Sequence, residues 1–175
     1  MIIFLSFSVL IFCLSTLIYH LKTGVPPYPS SKKEIMAVLQ LLKTTSCEAG
    51  PIYELGCGWG NLAIALAKQY PRTQIIGIEI SPLPYMISLL RSLRYKNLKI
   101  IRKDFYQIPL HEASAISCYL MRAPMKKLRE KLNEELSSNT PVVSVAFYFP
   151  LITPTSIVKG QGIIQADTAL YLWQN

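Results

Sequence analysis

Apolar positions along this chain form short runs that alternate with stripes of helical spacing. A run of about four to eight apolar residues between turn residues is typical of a buried strand, whereas apolar positions at i, i+3, i+4 and i+7 are typical of a helix. The runs predict strands over 51–55, 74–80, 98–102, 115–120, 141–149 and 169–173, with one more inside 150–165. The stripes predict helices over 32–43, 61–69, 81–94 and 124–136. This alternation predicts an α/β fold with a parallel, doubly wound sheet and helices on both of its faces.

The first of these helices carries its own start signal. Ser31 stands at the N-cap position and Glu34 follows three residues later, which is the spacing of a capping box. Ile35, Val38 and Leu42 then share one face of the helix. We expect that face to pack on the sheet beside the first strand.

The N-terminal segment 2–21 is almost wholly apolar and contains no Lys or Arg before Lys22. About 20 such residues are enough to cross the hydrocarbon core of a bilayer. A cleaved signal peptide would have a basic start and a small-residue cleavage site, and this segment has neither. We therefore expect one uncleaved transmembrane helix. All 18 Lys and Arg residues follow it, so the positive-inside rule places the rest of the chain in the cytoplasm.

A proline-rich stretch follows the apolar segment. Pro26, Pro27 and Pro29 make residues 24–31 a stiff, extended spacer, although a lid over a ligand site is the alternative. The sequence thus divides into a membrane anchor, a linker and one domain, over residues 1–22, 23–31 and 32–175.

Composition narrows the classes of partner. The formal charge of +8 favours anionic partners such as nucleic acid, an anionic membrane face or an acidic protein. Within residues 91–103 there are six cations and no acid, which is either a solvated surface or a contact with anionic lipid headgroups. The four cysteines show no C-x-x-C spacing, so we expect neither a disulfide framework nor a zinc site.

The residues that could bind a ligand or take part in a reaction lie around a glycine-rich turn. The first strand contains Glu54 and leads into Gly56, Gly58 and Gly60, and the second strand ends at Glu79. Glycine lets the backbone approach a ligand closely, and the start of a helix presents unpaired N–H groups. An acid at the end of the second strand can accept hydrogen bonds from ribose hydroxyls. The layout predicts a nucleotide-type cofactor site; a tight turn without a ligand is the alternative.

The glycine spacing is G-x-G-x-G and differs from the dinucleotide fingerprint G-x-G-x-x-G. With an acid two residues before the first glycine, it resembles motif I of the class I S-adenosylmethionine (SAM) methyltransferases. SAM has no pyrophosphate that requires the third glycine of the fingerprint, and it carries an α-amino group that Glu54 can help to hold. The resemblance implies a Rossmann-like, seven-stranded methyltransferase sheet whose last strand is antiparallel.

The resemblance also implies SAM as the cofactor and a set of residues around it. In that fold Ile80 would contact the adenine face, Asp104 would accept a hydrogen bond from the adenine amino group, and Phe105 would pack on the ring. Simpler alternatives are a solvent-facing strand end for Glu79 and a turn cap for Asp104. Tyr119 follows the fourth strand, where the methyl group lies in this fold, and is a candidate to orient an amine. The implied cofactor-binding residues are Glu54, Gly56, Cys57, Gly58, Gly60, Asn61, Glu79, Ile80, Asp104 and Phe105.

Nearly the whole chain resembles the small membrane-anchored protein-lysine methyltransferases that modify the ATP synthase c-subunit and the adenine nucleotide translocase. The resemblance rests on the apolar N-terminus, the proline linker, the E-L-G-x-G-x-G core, and matches at 77–79, 103–105, 119–120, 127–132 and 141–147. It implies transfer of methyl groups to a lysine of a membrane protein. Two departures concern the loop at 121–122, where an apolar Leu-Pro-like continuation is replaced, and the residues at 57 and 59, where Ser and Asp are frequent.

Two other functions stay open at this point. One is a methyltransferase for RNA, lipid or a small molecule, with the basic surface binding the substrate. RNA has little support, since the basic stretch has no interleaved aromatic platform. The other is a non-catalytic SAM-fold binding module, which the unusual loop after the fourth strand suggests.

Overall fold

A computed structural model describes residues 29–45, 50–160 and 166–174. Seven strands form one sheet in the order β3-β2-β1-β4-β5-β7-β6. The strands are β1 (Ile52–Leu55), β2 (Ile75–Glu79), β3 (Leu98–Arg102), β4 (Ala115–Cys118), β5 (Pro141–Val145), β6 (Ser156–Val158) and β7 (Thr168–Leu172). The predicted transmembrane segment and most of the predicted linker lie outside the described residues.

Strand direction confirms the predicted topology. The pairs β1–β2, β2–β3, β1–β4 and β4–β5 are all parallel. β7 runs antiparallel to both β5 and β6. Strands β1, β2, β4 and β5 are buried along their whole length, which explains why they appear in the sequence as mainly apolar runs without regular polar alternation.

Helices cover both faces of the sheet, as the alternation predicted. They are α1 (Lys32–Lys43), α2 (Asn61–Gln69), α3 (Pro82–Ser92) and α4 (Arg122–Glu135). The first two contribute apolar side chains to a core on one face, together with one side of the sheet. On the other face, Met125, Leu128 and Leu132 of α4 pack with the aromatic cluster of Phe149, Tyr171 and Trp173.

The start of α1 is the predicted capping box. The Ser31 hydroxyl accepts a hydrogen bond from the Glu34 N–H, and the Glu34 carboxylate accepts one from the Ser31 N–H at 2.6 Å. The helix lies against β5 and β7, and not beside β1 as we expected. Sequence periodicity identifies which face of a helix is apolar, but it does not identify the strand that receives that face.

Several elements end before the predicted residue. β5 ends at Val145 because Ala146 adopts a left-handed backbone with φ of 70° and turns the chain out of the sheet. β4 ends at Cys118 and α3 at Ser92, so the predicted ends at 120 and 94 were wrong. After β4 and β5 the apolar residues continue because Leu120 and Phe149 are buried as well, and an apolar run cannot distinguish such a segment from strand. Leu93, directly after α3, is apolar but exposed.

Across residues 29–45, 50–160 and 166–174, no helix has both the length and the apolar character needed to cross a bilayer.

Replacing Ser31 by Ala tests the contribution of the capping box. The substitution removes the acceptor for the Glu34 N–H, and we expect the free energy of unfolding to fall by about 1 kcal/mol. Urea denaturation followed by circular dichroism measures the change. Ser138→Ala is the matched control, because Ser138 is exposed and lies in a turn. An equal effect of both substitutions would contradict a stabilising role for the cap.

Candidate functional site

A cavity of about 350 Å³ lies at the carboxyl ends of the parallel strands. Its wall includes Glu54 of β1, Glu79 of β2, Asp104 after β3, and Tyr119 after β4. Strand order reverses between β1 and β4, and such a switch point leaves a crevice that open α/β sheets use for ligands. The position of this cavity is therefore a consequence of the strand order.

The glycine-rich turn forms the floor of the crevice. Gly56, Gly58 and Gly60 have φ values of 74°, 51° and 78°, in the left-handed region that side chains disfavour. A Cβ atom at Gly58 would have no neighbour within 4 Å, so this stretch of backbone faces open space. At Gly60 a Cβ atom would stand 3.0 Å from the Cβ of Ser88, so this glycine instead allows α3 to pack closely on the start of α2.

The Glu79 carboxylate joins two turns around the cavity. Its Oε2 atom accepts a hydrogen bond from the Gly58 N–H at 2.8 Å, and its Oε1 atom accepts one from the Ser81 N–H at 2.8 Å. The side chain is buried, which excludes the alternative of a solvent-facing strand end. A carboxylate offers about four lone-pair sites, so these two bonds leave acceptor capacity for ligand hydroxyls.

The Glu54 carboxyl is the least satisfied polar group near the cavity. It is 4% exposed, and its Oε2 atom has no hydrogen-bond partner among the described residues. Burial raises the pKa of Glu54 well above its usual value, a hydrogen bond from the Ala63 backbone opposes this, and the nearby charge of Glu79 raises it further. Two acids that repel each other beside one cavity are both stabilised by a bound cation. A cationic ligand with an amino group therefore fits this end of the site.

Another part of the cavity wall is aromatic. Asp104 accepts a hydrogen bond from the Tyr106 N–H at 3.0 Å and caps a short 3₁₀ helix, Phe105–Gln107. The rings of Phe105 and Tyr106 lie 4.4 Å apart, and Ile80 lines the cavity with them. Asp104 thus acts as the turn cap that the sequence offered as an alternative, and it also lines the cavity. Flat apolar surfaces beside an acceptor suit a planar heterocycle with an amino group.

The Tyr119 hydroxyl donates a hydrogen bond to Glu34 Oε1 at 3.2 Å. The same Glu34 side chain closes the capping box, so the capped start of α1 and the end of β4 are connected through one carboxylate. Tyr119 lines the cavity. Because its proton is directed to Glu34, the phenolic oxygen can meet a further partner as an acceptor.

The structure brings together all of the sequence-predicted residues except Gly60, which does not line the cavity. Asn61 lines it, but its side chain is held by protein groups: Nδ2 donates to the Ser30 carbonyl at 3.4 Å, and Oδ1 accepts from Arg91 at 2.7 Å. The buried Cys57 thiol packs towards the core, since a Cβ atom at Gly77 would lie 3.0 Å from its Sγ atom. Any contact of Asn61 or Cys57 with a ligand therefore involves mainly the backbone.

Sequence reasoning missed another part of the cavity wall. Pro29 and Ser30, at the described end of the linker, line the cavity, which favours the lid alternative for that end. On α4, Lys127 lines it too, with its Nζ atom 4.2 Å from the centroid of the Tyr106 ring. These residues come from elements distant in sequence, and no local motif marks them. The other missed residues are Trp59, Ile78, Ser81, Tyr106, Leu120, Ala123 and Pro124.

Comparison with known proteins supplies the family. The sequence model of the ANTKMT methyltransferase domain matches residues 54–156, which is more than half of the chain. A protein-lysine N-methyltransferase of Saccharolobus islandicus (strain REY15A) is 26% identical over 139 residues, covering 77% of this chain and 84% of that protein.

Two mammalian proteins are similar as well. The human lysine N-methyltransferase of the ATP synthase c-subunit is 28% identical over 145 residues, and the mouse adenine nucleotide translocase lysine N-methyltransferase is 28% identical over 147 residues. Each comparison covers 81% of this chain but only 60% and 61% of the relative, so the chain spans about three fifths of their length.

Among solved structures, an RNA methyltransferase from Salinibacter ruber in complex with S-adenosyl-L-homocysteine superimposes with a TM-score of 0.72. It is 23% identical and covers 85% of this chain and 95% of its own, so the likeness concerns the fold. The sequence and fold comparisons agree with the geometry of the cavity. The chain belongs to the ANTKMT methyltransferase domain family and is a SAM-dependent methyltransferase.

Proposed function

We propose that this enzyme transfers methyl groups from SAM to a lysine side chain of a protein in or at a membrane. The observation that carries the proposal is the set of relatives, from an archaeon to mammals, whose names describe lysine N-methyltransferases and which cover 77% or more of this chain. The names of the mammalian relatives specify the acceptors as the ATP synthase c-subunit and the adenine nucleotide translocase.

The two acids of the cavity have different roles in this proposal. Glu79 is already oriented by two backbone N–H groups, so it is ready to accept hydrogen bonds from ribose hydroxyls without rearrangement. Glu54 has an unpartnered buried oxygen and would receive the α-amino group of the cofactor. At the aromatic part of the cavity wall, Asp104, Phe105 and Ile80 would hold the adenine ring. When bound, SAM supplies a methyl group that its positive sulfonium already activates.

The acceptor lysine needs orientation and a neutral amine. Tyr119 is suited to orientation, because it lines the cavity directly after β4 and its hydroxyl is positioned by Glu34. A pocket that excludes water and contains a positive charge lowers the pKa of an entering amine, so no dedicated general base is required. Correct placement of two reacting groups can contribute roughly 7–11 kcal/mol towards the barrier.

Membrane attachment through the N-terminus is part of the same proposal. Residues 1–22 would form the anchor, residues 23–31 the linker, and residues 32–175 a catalytic domain on the cytoplasmic side. The composition of residues 2–21 and the distribution of Lys and Arg support it. The structure adds one supporting observation: Pro29 and Ser30 lie at the cavity, so a chain that leaves the membrane through this linker arrives at the active site.

Glu54→Gln tests the role of the unpartnered carboxyl. Because folding raises the pKa of Glu54 above 4.5, the folded state binds its proton more tightly than the unfolded state does. The stability of the ligand-free protein should therefore fall as pH rises from about 4.5 towards the folded pKa, by up to about 1.4 kcal/mol per pH unit. The stability of the Glu54→Gln variant should not show this decrease with rising pH. Urea denaturation of both proteins at several pH values measures the difference.

The same variant should bind SAM about 10–100-fold more weakly, since a hydrogen bond to a charged group contributes about 1.5–3 kcal/mol. Calorimetric titration with SAM measures this. Glu134→Gln is the control, because Glu134 is exposed and lies on α4 away from the cavity wall. Unchanged SAM affinity in Glu54→Gln would refute the assigned role.

The acceptor is tested with methyl-labelled SAM, the purified full chain, and membrane and soluble fractions from cells that lack the gene. Label should appear in a small membrane protein, on lysine, and should be absent with Glu79→Ala. Tyr119→Phe should lower kcat about 3–10-fold, as expected for one hydrogen bond, without raising the KM for SAM. Tyr148→Phe is the matched control, since the Tyr148 hydroxyl bonds Asp167 and its side chain does not line the cavity.

The distribution of label decides between acceptors. Label in RNA, lipid or a small molecule would overturn the lysine acceptor and keep the enzyme class. Label in protein of the soluble fraction alone would overturn the membrane location of the substrate.

A further inference from the structure

Helix α3 exposes large apolar residues on its outer side, while two serines lie on its inner side beside Pro84, Tyr85 and Leu89. Ser88 and Ser92 face the protein interior with 0% and 4% exposure, whereas Met86, Leu90 and Leu93 are 56%, 65% and 75% exposed. Met86 and Leu90 are four residues apart on the outer side of the helix, and Leu93, the helical C-cap residue, continues this stripe three residues later. A helix on the surface of a soluble domain normally shows the opposite arrangement.

The buried serines have a local explanation that the exposed stripe lacks. Each serine hydroxyl donates to a carbonyl of its own helix, from Ser88 to Tyr85 at 2.9 Å and from Ser92 to Leu89 at 2.7 Å. Small side chains are needed at this contact because Gly60 approaches Ser88 closely. Packing therefore accounts for the inner side of α3, while within the described residues no protein group covers the outer stripe.

Cations surround the apolar stripe. No acid occurs from residue 80 to residue 103, and the basic side chains that follow α3 are exposed: Arg94, Lys96, Lys99, Arg102 and Lys103. Arg94 and Lys96 follow the stripe directly, and Arg102 shares the face of the edge strand β3 on which Leu98 and Ile100 pack with α3. Lys99 is on the other face of that strand. An exposed apolar stripe with cations beside it matches the chemistry of a bilayer that contains anionic lipid. The acyl chains of such a bilayer can bury the apolar side chains, and its anionic headgroups can pair with the cations.

The path of the chain places α3 beside the linker. Asn61 donates to the Ser30 carbonyl and accepts from Arg91 of α3, so one side chain joins the end of the linker to this helix. The described end of the linker thus lies on the side of the domain where α3 lies. Helix α3 also begins directly after Ser81, which lines the cavity.

We propose that the outer face of α3 and the residues directly after it, defined by Met86, Leu90 and Leu93 together with Arg94 and Lys96, dock on an anionic bilayer surface. Docking holds the cavity rim next to the membrane, where a lysine close to the headgroups of a membrane protein can reach it. The inference deepens the proposed function and rests on its membrane-associated acceptor, but it uses a surface distinct from the proposed anchor.

The test uses the full chain in liposomes that carry a trace of phosphatidylcholine with a photoreactive diazirine in its acyl chain. After irradiation, mass spectrometry locates the lipid adducts. We expect adducts on residues 86–93, at least about fivefold more abundant when about 30% phosphatidylglycerol replaces phosphatidylcholine, since each cation near an anionic surface multiplies binding by about fivefold. The double variant Arg94→Gln/Lys96→Gln should reduce these adducts about fivefold or more while leaving every apolar residue of the stripe in place.

The variant Arg122→Gln/Lys126→Gln is the matched control, because it removes two exposed cations from α4 on the other face of the sheet and should leave the adducts unchanged. Adducts on residues 2–21 report the proposed anchor separately. Adducts there but none on residues 86–93 would overturn docking and keep the anchor. Equal amounts of adduct on residues 86–93 with and without phosphatidylglycerol would also overturn docking. Protection of the stripe by a second copy of the chain would overturn it too.

Discussion

The two hydrogen bonds that Glu79 accepts, from the N–H groups of Gly58 and Ser81, hold the rest of the site in place. Gly58 belongs to the turn between β1 and α2, and Ser81 is the residue before α3. One carboxylate at the end of β2 therefore fixes the relative positions of the glycine turn and α3. The cavity lies between these elements because parallel strands all end at the same edge of the sheet. The start of α3 that defines one rim of the cavity also orients the exposed stripe on its outer side.

Most of the fold could be predicted because buried strands and helix faces consist mainly of apolar residues, which form recognisable patterns in the sequence. β1, β2, β4 and β5 are buried throughout, so each appears as a run of mainly apolar residues, and the Ser31–Glu34 capping box marks the start of α1 to the residue. Where a packed segment follows a strand directly, as after Val145, the sequence stays apolar beyond the strand. The end of the strand therefore cannot be located from the sequence. The strands that α1 contacts could not be predicted either, because its contact with β5 and β7 depends on the order of strands in the folded sheet.

The candidate site, too, could be predicted only in part. Glu54, the glycines and Glu79 were found because they sit at fixed offsets in a local motif, and the structure assembles them around one cavity. Tyr106, Lys127 and Ser30 reach that cavity from separate elements and leave no spacing that a motif could detect. The side chain of Asn61 shows a further limit, since the sequence identifies its position at the start of α2 but not that Ser30 and Arg91 engage it. Motifs thus reveal groups that act locally, whereas contacts between elements require the structure.

A structure of the protein with S-adenosyl-L-homocysteine bound tests the central claim most directly, which is that the two acids and the glycine turn hold the cofactor. The account predicts the ligand in the cavity between β1 and β4, with its ribose hydroxyls on the Glu79 carboxylate and its amino group beside Glu54. The Gly58 N–H should keep its bond to Glu79 in that complex. A ligand bound elsewhere, or bound in this cavity without contact to Glu79, would contradict the account.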